Sequence, residues 1–374
     1  MSETKKIKVG YLAPELSSRN GWARYSRSLA EAVSAEADVR VLTERGAQNE
    51  TILTDVRRSL PVATFGLKAQ VGVFLHVFWN LGDRDIIHCL VEPYAPAAAL
   101  AAHVRGIPIT MTMHGTYAVP PKNSAIKRLI MRYMYSRMPI VTSGSAYTEK
   151  KVREVTKLGE CQIIPNGVNL EKFNILPGVK KENLILTVGM LKARKGVDTV
   201  LSALAELKNT LPDLKYSIVA SDSGDAFSQK VHAMIKDLDL TSQVTFHENI
   251  SDTDLVSLYN RSRGFVLAAR STDDGAFEGF PMVFYEANAC GTPVITTRGF
   301  GSEYAIHDGE NGFLVEPDSP KQVAEAISKL FADSVQYEIM REKSLQEAKN
   351  HTWDKIAKIL MRFYHDVIHF GHKH

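Results

Sequence analysis

Short apolar segments alternate with longer amphipathic ones along the whole chain, and this alternation limits the fold more than any other feature. Residues 7–13 have the composition of a buried strand, and residues 22–33 carry apolar side chains at helical spacing. The same succession starts again at 184–188, before a helix predicted over 197–207. Strands that alternate with helices form parallel sheets covered by helices on both faces. The sequence therefore predicts an α/β protein.

A chain of 374 residues is long enough for two domains of ordinary size. An Asn-Gly turn at 166–167 ends the first α/β region, and the segment 170–181, which contains Pro177-Gly178, is the best candidate for a linker. We therefore predict an N-terminal domain over 1–169 and a C-terminal domain over 182–351. Further strands of the first domain are predicted at 62–65, 86–90, 107–113 and 140–143.

One stretch of the second half carries two carboxylates around a predicted helix start. Glu278 is followed by Gly279 and Pro281, and Glu286 lies further along the same stretch. Proline suits the first turn of a helix, whose unpaired N–H groups attract phosphate, so we expect the helix to begin at Pro281. A carboxylate accepts hydrogen bonds from sugar hydroxyls. The stretch fits a sugar–phosphate–sugar ligand, and a buried helix with two incidental acids is the alternative.

The two segments Phe-Glu-Gly-Phe-Pro (277–281) and Glu-Ala-Asn-Ala-Cys-Gly-Thr-Pro-Val (286–294) resemble the signature of the family-4 retaining glycosyltransferases. The resemblance covers most of the chain. It implies the GT-B fold, in which two Rossmann-like domains face each other across a cleft and the last helix, here 352–371, crosses back to the N-terminal domain. It also implies that Glu286 binds the nucleotide ribose and that Glu278 lies beside the donor sugar and diphosphate. The residues between them that belong to the donor site are Gly279, Phe280, Pro281 and Met282.

A basic loop of the second half is the candidate partner for the diphosphate. Arg194 and Lys195 lie between a predicted strand and helix, at the sheet edge where Glu278 is also expected, and two fixed cations can neutralise a diphosphate. A plain basic loop is the alternative. The family has such a basic pair, but many members carry arginine directly after the glycine, where this chain has Met190. Arg194 is the candidate replacement.

Two residues of the first half complete the predicted site. His114 follows the strand 107–113, where a lone histidine is usually structural, but the resemblance implies a position beside the transferred sugar. We therefore expect His114 and Glu278 to be the catalytic residues. Gly21 stands in the loop after the first strand and has two interpretations: it caps the next helix, or it approaches the donor phosphates as the family's loop does.

Composition excludes several other classes. The net charge of +3 and the lack of basic runs argue against nucleic-acid binding. Three cysteines far apart in the sequence fit free thiols in a reducing compartment, and the N-terminus lacks an apolar signal core, so we expect a cytoplasmic protein. We predict no metal site and no cofactor. The Asp-x-Asp pattern in 251–254 is a candidate for a divalent metal, but it has the spacing of a helix capping box.

The helix predicted around 126–138 is basic and amphipathic. Residues 93–148 contain six basic residues and no acidic one, and Arg128 and Arg132 lie opposite an apolar side of this helix. A basic amphipathic helix can rest on an anionic membrane. The segment 122–138 therefore either contacts a membrane at the inner face or is a core-facing helix with solvated cations.

The function expected from the sequence is that of a retaining, metal-independent glycosyltransferase. It would move a sugar from a nucleoside-diphosphate sugar to a hydroxyl acceptor, such as a lipid-linked or cell-envelope glycan in polysaccharide biosynthesis. The alternatives are a catalytically inactive nucleotide-sugar-binding protein and a phosphorylase or epimerase with the same fold.

Overall fold

The structure is a computed structural model that describes residues 6–18, 20–52, 54–121 and 123–371. It divides the chain into two α/β units. The first unit comprises Met1–Asn166 together with Trp353–His374, and the second comprises Gly167–Thr352. In sequence, the second unit is thus an insertion within the first.

The first unit, in its described residues, has a parallel sheet of seven strands. The strands are β1 (Lys8–Leu12), β2 (Asp38–Glu44), β3 (Asp55–Leu60), β4 (Ile86–Cys89), β5 (Ile109–Met113), β6 (Ile140–Ser143) and β7 (Glu160–Ile163). The helices that connect them are α1 (Gly21–Ser34), α2 (Leu67–Asn80), α3 (Ala95–Arg105), α4 (Ala125–Ser136) and α5 (Ala146–Arg153). The strand order is β3-β2-β1-β4-β5-β6-β7, so the direction of strand addition reverses between β1 and β4. Ligands of open parallel sheets bind beyond the carboxyl ends of the strands at such a reversal.

The reversal also decides which helices share a face of this sheet. Crossover connections between parallel strands are right-handed, so connections that run in opposite directions along the sheet place their helices on opposite faces. The connections through α2, α3 and α4 all run toward β6, whereas the connection through α1 runs toward β2. Accordingly α2 packs on α3, and α3 packs on α4. The three helices form one layer.

The second unit repeats the design with six parallel strands among its described residues. The strands are β8 (Glu182–Val188), β9 (Lys215–Val219), β10 (Val244–His247), β11 (Ser262–Leu267), β12 (Val294–Thr297) and β13 (Gly312–Val315). The helices are α6 (Val197–Glu206), α7 (Ala226–Asp237), α8 (Asp252–Arg261), α9 (Val283–Ala289), α10 (Pro320–Ala332) and α11 (Ser334–Asn350). The order β10-β9-β8-β11-β12-β13 reverses between β8 and β11. The loops after these two strands carry the basic pair and Glu278.

Local sequence signals explain where these elements begin and how the sheets are buried. Polar side chains accept a backbone N–H at the start of several helices, as Ser251 does from Asp254 at 3.1 Å, which confirms the predicted capping interaction. The central strands β4, β5 and β6 are buried along their whole length, as expected for parallel strands covered on both faces. The prediction of two parallel-sheet α/β domains is confirmed.

The last helix, α12 (Trp353–Gly371), belongs to the first unit, as the sequence predicts. It packs on α1 through buried apolar side chains. Its Tyr364 hydroxyl lies 2.7 Å from the Tyr11 hydroxyl on β1 and 2.8 Å from Nδ1 of His88 on β4. This buried polar network attaches the end of the chain to the two strands at the reversal.

The third strand of the first sheet is predicted wrongly. β3 occupies Asp55–Leu60, whereas 62–65 lies outside any strand and Val62 is exposed. β3 is an edge strand that pairs only with β2, and its Arg57 and Arg58 are exposed. Charged residues are typical of edge strands, and they remove the apolar pattern on which the prediction relied.

The segment 170–181, predicted as a linker, is part of the second unit. Lys181 Nζ donates to Thr292 Oγ1 at 2.6 Å, and Leu176 N donates to Asn260 Oδ1 at 2.9 Å. These bonds attach the segment to the core of the second unit. The second unit therefore begins at Gly167, before the Pro177-Gly178 pair that suggested a linker.

His88 gives the first unit a predictable response to acid. Its ring lies between the Tyr364 hydroxyl and Thr112 Oγ1, which is 2.8 Å from Nε2, and burial lowers its pKa to about 3. The unfolded chain binds a proton on this histidine below pH ~6.5, and the folded chain does not, so acid favours unfolding. Each pH unit below 6.5 should remove about 1.4 kcal/mol until the folded pKa is reached.

We predict that replacement of His88 by asparagine makes the first unit less stable at pH 7 but less sensitive to acid. Between pH 7 and pH 5 the variant should lose about 2 kcal/mol less unfolding free energy than the wild type. Urea unfolding followed by tryptophan fluorescence measures this, because Trp22, Trp79 and Trp353 all lie in the first unit. Parallel pH profiles for the two proteins would contradict the prediction.

Candidate active site

Two glycines shape the loop that carries the basic pair of the second unit. Gly189 ends β8 with φ of 146°, and a side chain there would meet the Lys195 stem, 3.3 Å from its Cε. Gly196 has φ of 66°, and an added Cβ would lie 1.8 Å from the carbonyl oxygen of Ala268, just after β11. Only glycine fits at Gly196, because both the backbone angle and the contact exclude a side chain. The loop is thereby pressed against the end of the neighbouring strand.

Arg194, Lys195 and Glu278 meet at this sheet edge. Arg194 Nε lies 2.6 Å from one carboxylate oxygen of Glu278, and Lys195 Nζ lies 2.9 Å from the other. Glu278 is only 8% exposed, and Lys195 is buried as well. The two loops that the sequence predicts to meet therefore do so, with the carboxylate between the two cations.

The charges of this cluster support one another. Burial of Glu278 opposes its ionised form, but the charges of Lys195 and Arg194 outweigh the effect and hold the pKa of this carboxyl below its usual value. The carboxylate is thus ionised at neutral pH, and the trio carries a net charge of +1. Removal of one member of a buried ion cluster is costly, because it leaves the remaining charges uncompensated.

Arg270 fixes the two loops to each other. Its backbone N–H donates to the carbonyl oxygen of Arg194 at 3.0 Å. Its guanidinium lies 2.9 Å from Asp198 on α6 and 2.9 Å from Asp318. Asp198 is itself buried. The position of the basic loop therefore does not depend on Glu278 alone.

The segment between the two acids is anchored by aromatic residues. Phe277 and Phe280 are buried on either side of Glu278, and the Phe280 ring lies 5.5 Å from the Tyr285 ring. Gly279 and Pro281 are buried too, and Met282 is half-buried. The backbone that leads from Glu278 to α9 is thus held in one place.

The helix after this segment starts later than the sequence predicts. α9 begins at Val283, not at Pro281, and Glu286 lies in its first turn. The Pro281 carbonyl accepts from Phe284 N at 3.4 Å, which makes a tighter turn ahead of the α-helix. Glu286 is buried, and its Oε2 accepts from the Tyr259 hydroxyl at 3.0 Å. Glu286 is thus placed by α8 as well as by its own helix.

His114 occupies the equivalent edge of the first unit, directly after β5. Its Nε2 lies 2.8 Å from the carbonyl oxygen of Leu90, and its ring stands edge-on to Tyr25 with centroids 4.5 Å apart. Burial lowers the pKa of His114 to about 4, so the ring is neutral at pH 7. The bond to Leu90 requires the proton on Nε2, which leaves Nδ1 as an acceptor.

Glu92 supports His114 and is a residue that the sequence analysis missed. It follows β4, is fully buried, and accepts the His114 backbone N–H through Oε1 at 2.7 Å. Oε2 has no hydrogen-bond partner among the described residues. Burial raises the pKa of Glu92 to about 7, so this carboxyl exchanges its proton near neutral pH. The sequence signal that could have identified Glu92 is an acidic residue shortly after the apolar strand β4.

Gly21 does not cap its helix. Asn20 is the N-cap of α1, and its side chain accepts from Ala23 N at 3.0 Å, so the capping interpretation of Gly21 is wrong. Gly21 is the first helical residue, and a Cβ added there would meet no atom within 4 Å. Its predicted approach to the donor phosphates stays a prediction.

The second unit brings together Arg194, Lys195 and Glu278, with Gly279, Phe280, Pro281, Met282 and Glu286 on the chain that follows. His114 and Gly21 lie in the first unit. Their roles in a reaction stay predictions. Tyr259, Gly189 and Gly196 were also missed, because their importance depends on contacts with distant parts of the chain.

Comparison with known proteins identifies both units. Residues 19–172 match the model of Glycosyltransferase Family 4, and residues 169–351 match that of Glycosyl transferases group 1. The chain is 25% identical over 314 residues to a D-inositol 3-phosphate glycosyltransferase of Acidothermus cellulolyticus, which covers 77% of this chain and 68% of that protein. It is 26% identical over 268 residues to a GDP-mannose-dependent alpha-(1-6)-phosphatidylinositol monomannoside mannosyltransferase of Mycolicibacterium smegmatis, covering 68% and 69%.

The fold has close counterparts among solved structures. Anabaena HepE in complex with UDP-glucose superposes with a TM-score of 0.78 over 96% of this chain and 100% of that one, at 16% identity. This likeness establishes the GT-B fold. Because the two family models together match residues 19–351, the chain belongs to the GT-B glycosyltransferases, with a family-4 domain followed by a group-1 domain.

Proposed function

We propose that this protein is a retaining, metal-independent glycosyltransferase that uses a nucleoside-diphosphate sugar. The observation that supports this most directly is the buried Glu278 carboxylate between Arg194 and Lys195. Two cations fixed in a buried loop are suited to the negative charge that develops on a leaving diphosphate. In this proposal they replace the divalent ion that other transferases use for the same purpose.

The proposed reaction exchanges one bond at the anomeric carbon for another. The bond from this carbon to the diphosphate oxygen breaks, and the acceptor oxygen forms its bond on the same face, so the configuration is retained. The proton of the acceptor hydroxyl passes to the leaving phosphate oxygen. Arg194 and Lys195 stabilise the diphosphate, while Glu278 and the neutral His114 position the transferred sugar.

Glu286 is proposed to bind the ribose of the donor. Its Oε2 already accepts one hydroxyl, that of Tyr259, at 3.0 Å, so the carboxylate is held in position for further donors. A ribose diol supplies two such groups. The structural neighbour from Anabaena was solved with UDP-glucose, which supports a nucleotide sugar as the ligand class of this fold.

The proposed acceptor is a hydroxyl of a lipid-linked or cell-envelope glycan, reached from the cytoplasm in a pathway of polysaccharide biosynthesis. Support for a lipid-linked acceptor comes from the phosphatidylinositol monomannoside mannosyltransferase of Mycolicibacterium smegmatis, whereas the relative from Acidothermus cellulolyticus is named for D-inositol 3-phosphate. A screen of such acceptors with radiolabelled donor would identify it.

The first experiment is a thermal-shift panel of UDP, GDP, ADP and their sugars. A true donor raises the melting temperature by mass action. With that donor, release of free nucleoside diphosphate in the presence of acceptor distinguishes a transferase from an inactive binding protein. Inorganic phosphate as acceptor tests for a phosphorylase, and isomerised donor indicates an epimerase. Full activity in EDTA is expected, and its loss would contradict metal independence.

We predict that Lys195→Met lowers transfer about a hundredfold and weakens binding of the nucleoside diphosphate, because a fixed cation at the leaving group is lost. Isothermal titration and initial rates measure the two effects. The matched control is Lys192→Met in the same loop, because Lys192 pairs with Asp225 at 2.6 Å instead of Glu278. Equal effects of the two substitutions would mean that loss of any loop cation suffices.

We predict the opposite effect on binding for Glu278→Gln. Glutamine keeps the size of the side chain but releases both cations from their carboxylate, so the nucleoside diphosphate should bind severalfold more tightly. Transfer should nevertheless fall on the order of a hundredfold, because the group that positions the sugar is altered. Weaker binding of the diphosphate, measured by the same titration, would show that Glu278 does not compete with it.

A further inference from the structure

Helix α2 is apolar on its outer side as well as on its inner side. Val73 and Val77 are buried against the sheet, as expected for a covering helix. The opposite side carries four large apolar residues at intervals of four, and all are exposed: Leu67 (81%), Val71 (51%), Leu75 (48%) and Trp79 (76%). Residues four apart lie on one face of a helix. Among the described residues of the first unit, none buries this stripe.

The neighbouring helix α3 extends the exposed apolar surface. Leu100 and Val104 are exposed and also four residues apart. The two helices lie side by side along their length, because Ala97 N donates to the Gln70 side chain at 3.1 Å near one end and Arg105 lies over the Phe78 ring at 5.0 Å near the other.

Helix α4 adds a third strip, and it corrects the view of this helix taken from the sequence alone. The residues that α4 buries are Met131, Met134 and Tyr135. Ile126 and Leu129 from its expected apolar side are instead 75% and 70% exposed. The view of α4 as an ordinary core-facing helix therefore leaves these two side chains unexplained. The segment 122–138, which the sequence predicts as a membrane contact, is only the margin of a wider surface. Lys122 lies outside the described residues.

The charges around this surface have one sign. We call the outer faces of α2, α3 and α4 the apolar–basic face. None of the three helices contains an aspartate or a glutamate, and the intervals 56–82 and 93–148 contain none either. The basic residues on the three helices are Lys68, Arg105, Lys127, Arg128 and Arg132. Lys127 Nζ lies 5.8 Å from the Phe65 ring just before α2, so its cation sits among the apolar groups.

We propose that the apolar–basic face rests on an anionic lipid bilayer, with the α2 stripe in the headgroup–acyl boundary and the cations at the phosphates. Exposed apolar patches of this extent mark interaction sites, and a helix with apolar and basic residues but no acids suits an anionic interface. No described helix is long and apolar enough to cross a membrane, so the proposed contact is peripheral.

Charge also argues against a second copy as the occupant. In a two-fold dimer the same patch meets itself, so the cations of one copy would face those of the other. An anionic bilayer supplies the missing negative charge instead. The three helices belong to the first unit and the proposed donor loops to the second, so membrane binding and sugar transfer can fail independently.

The test is flotation of the full-length protein with vesicles of phosphatidylcholine alone or with a third of phosphatidylglycerol. We expect binding to the anionic vesicles only, a decrease at high salt, and a blue shift of Trp79 emission that Trp79→Phe abolishes. Leu67→Glu combined with Trp79→Glu should reduce binding at least tenfold. Both side chains are exposed, so the fold should persist, and an unchanged circular dichroism spectrum and melting temperature of the variant would verify it.

A matched control introduces the same chemistry on the second unit. Val335 and Ile339 are four residues apart on α11 and are 70% and 51% exposed, so Val335→Glu with Ile339→Glu should leave vesicle binding unchanged. Failure of the wild type to bind anionic vesicles would overturn the proposal, as would equal losses in both double variants. A dimer of the wild type that becomes monomeric in the α2 variant, without vesicle binding, would identify a second copy as the occupant and also overturn it.

Discussion

A buried carboxylate between two cations is the interaction on which the second unit's site depends. The charges of Arg194 and Lys195 keep the buried Glu278 ionised, and its carboxylate offsets the repulsion between the two cations. Its position is enforced from several directions. Gly196 presses the basic loop onto the end of β11, Arg270 connects the two loops, and Phe277 and Phe280 fix the chain around the acid. Contacts within the second unit therefore fix the cluster, and fixed charges of this kind are what electrostatic catalysis requires.

If the proposed donor binds here, its diphosphate competes with the Glu278 carboxylate for the same two cations, Arg194 and Lys195. The carboxylate would then be left with fewer partners and could accept hydroxyl groups of the transferred sugar. In the proposed function Glu278 would therefore have two parts, pairing with the cations and contributing to the binding of the sugar. The candidate residues of the first unit have a different character, because His114 is neutral at pH 7 and Glu92 titrates near neutrality.

The sequence predicted the features that local pattern determines. Apolar runs predicted the two parallel sheets, and the segments around Glu278 and Arg194 were placed at one sheet edge because both follow predicted strands of the same sheet. The prediction was wrong where burial and pattern disagree: β3 is an edge strand with exposed arginines, and Gly21 leaves capping to Asn20. It could not reach Tyr259, Gly196 or the exposed stripe of α2. Tyr259 and Gly196 matter because of contacts with residues far away in the sequence, and the α2 stripe matters because its apolar side chains stay exposed. An apolar side chain looks the same in the sequence whether it is covered or not.

The route of the chain has a consequence of its own. The second unit begins at Gly167 and ends at Thr352, and Val168 pairs with Thr352 in a short bridge, with Val168 N also donating to the carbonyl oxygen of His351 at 2.9 Å. Its two ends are therefore adjacent in space. Such a segment can be removed or exchanged as one piece, because the two cut ends of the first unit need no long connection to be rejoined. The loops of the proposed donor site and the surface carried by α2 could accordingly be recombined among relatives by exchange of one continuous piece of gene, while a simple cut after Asn166 would strip the host of α12.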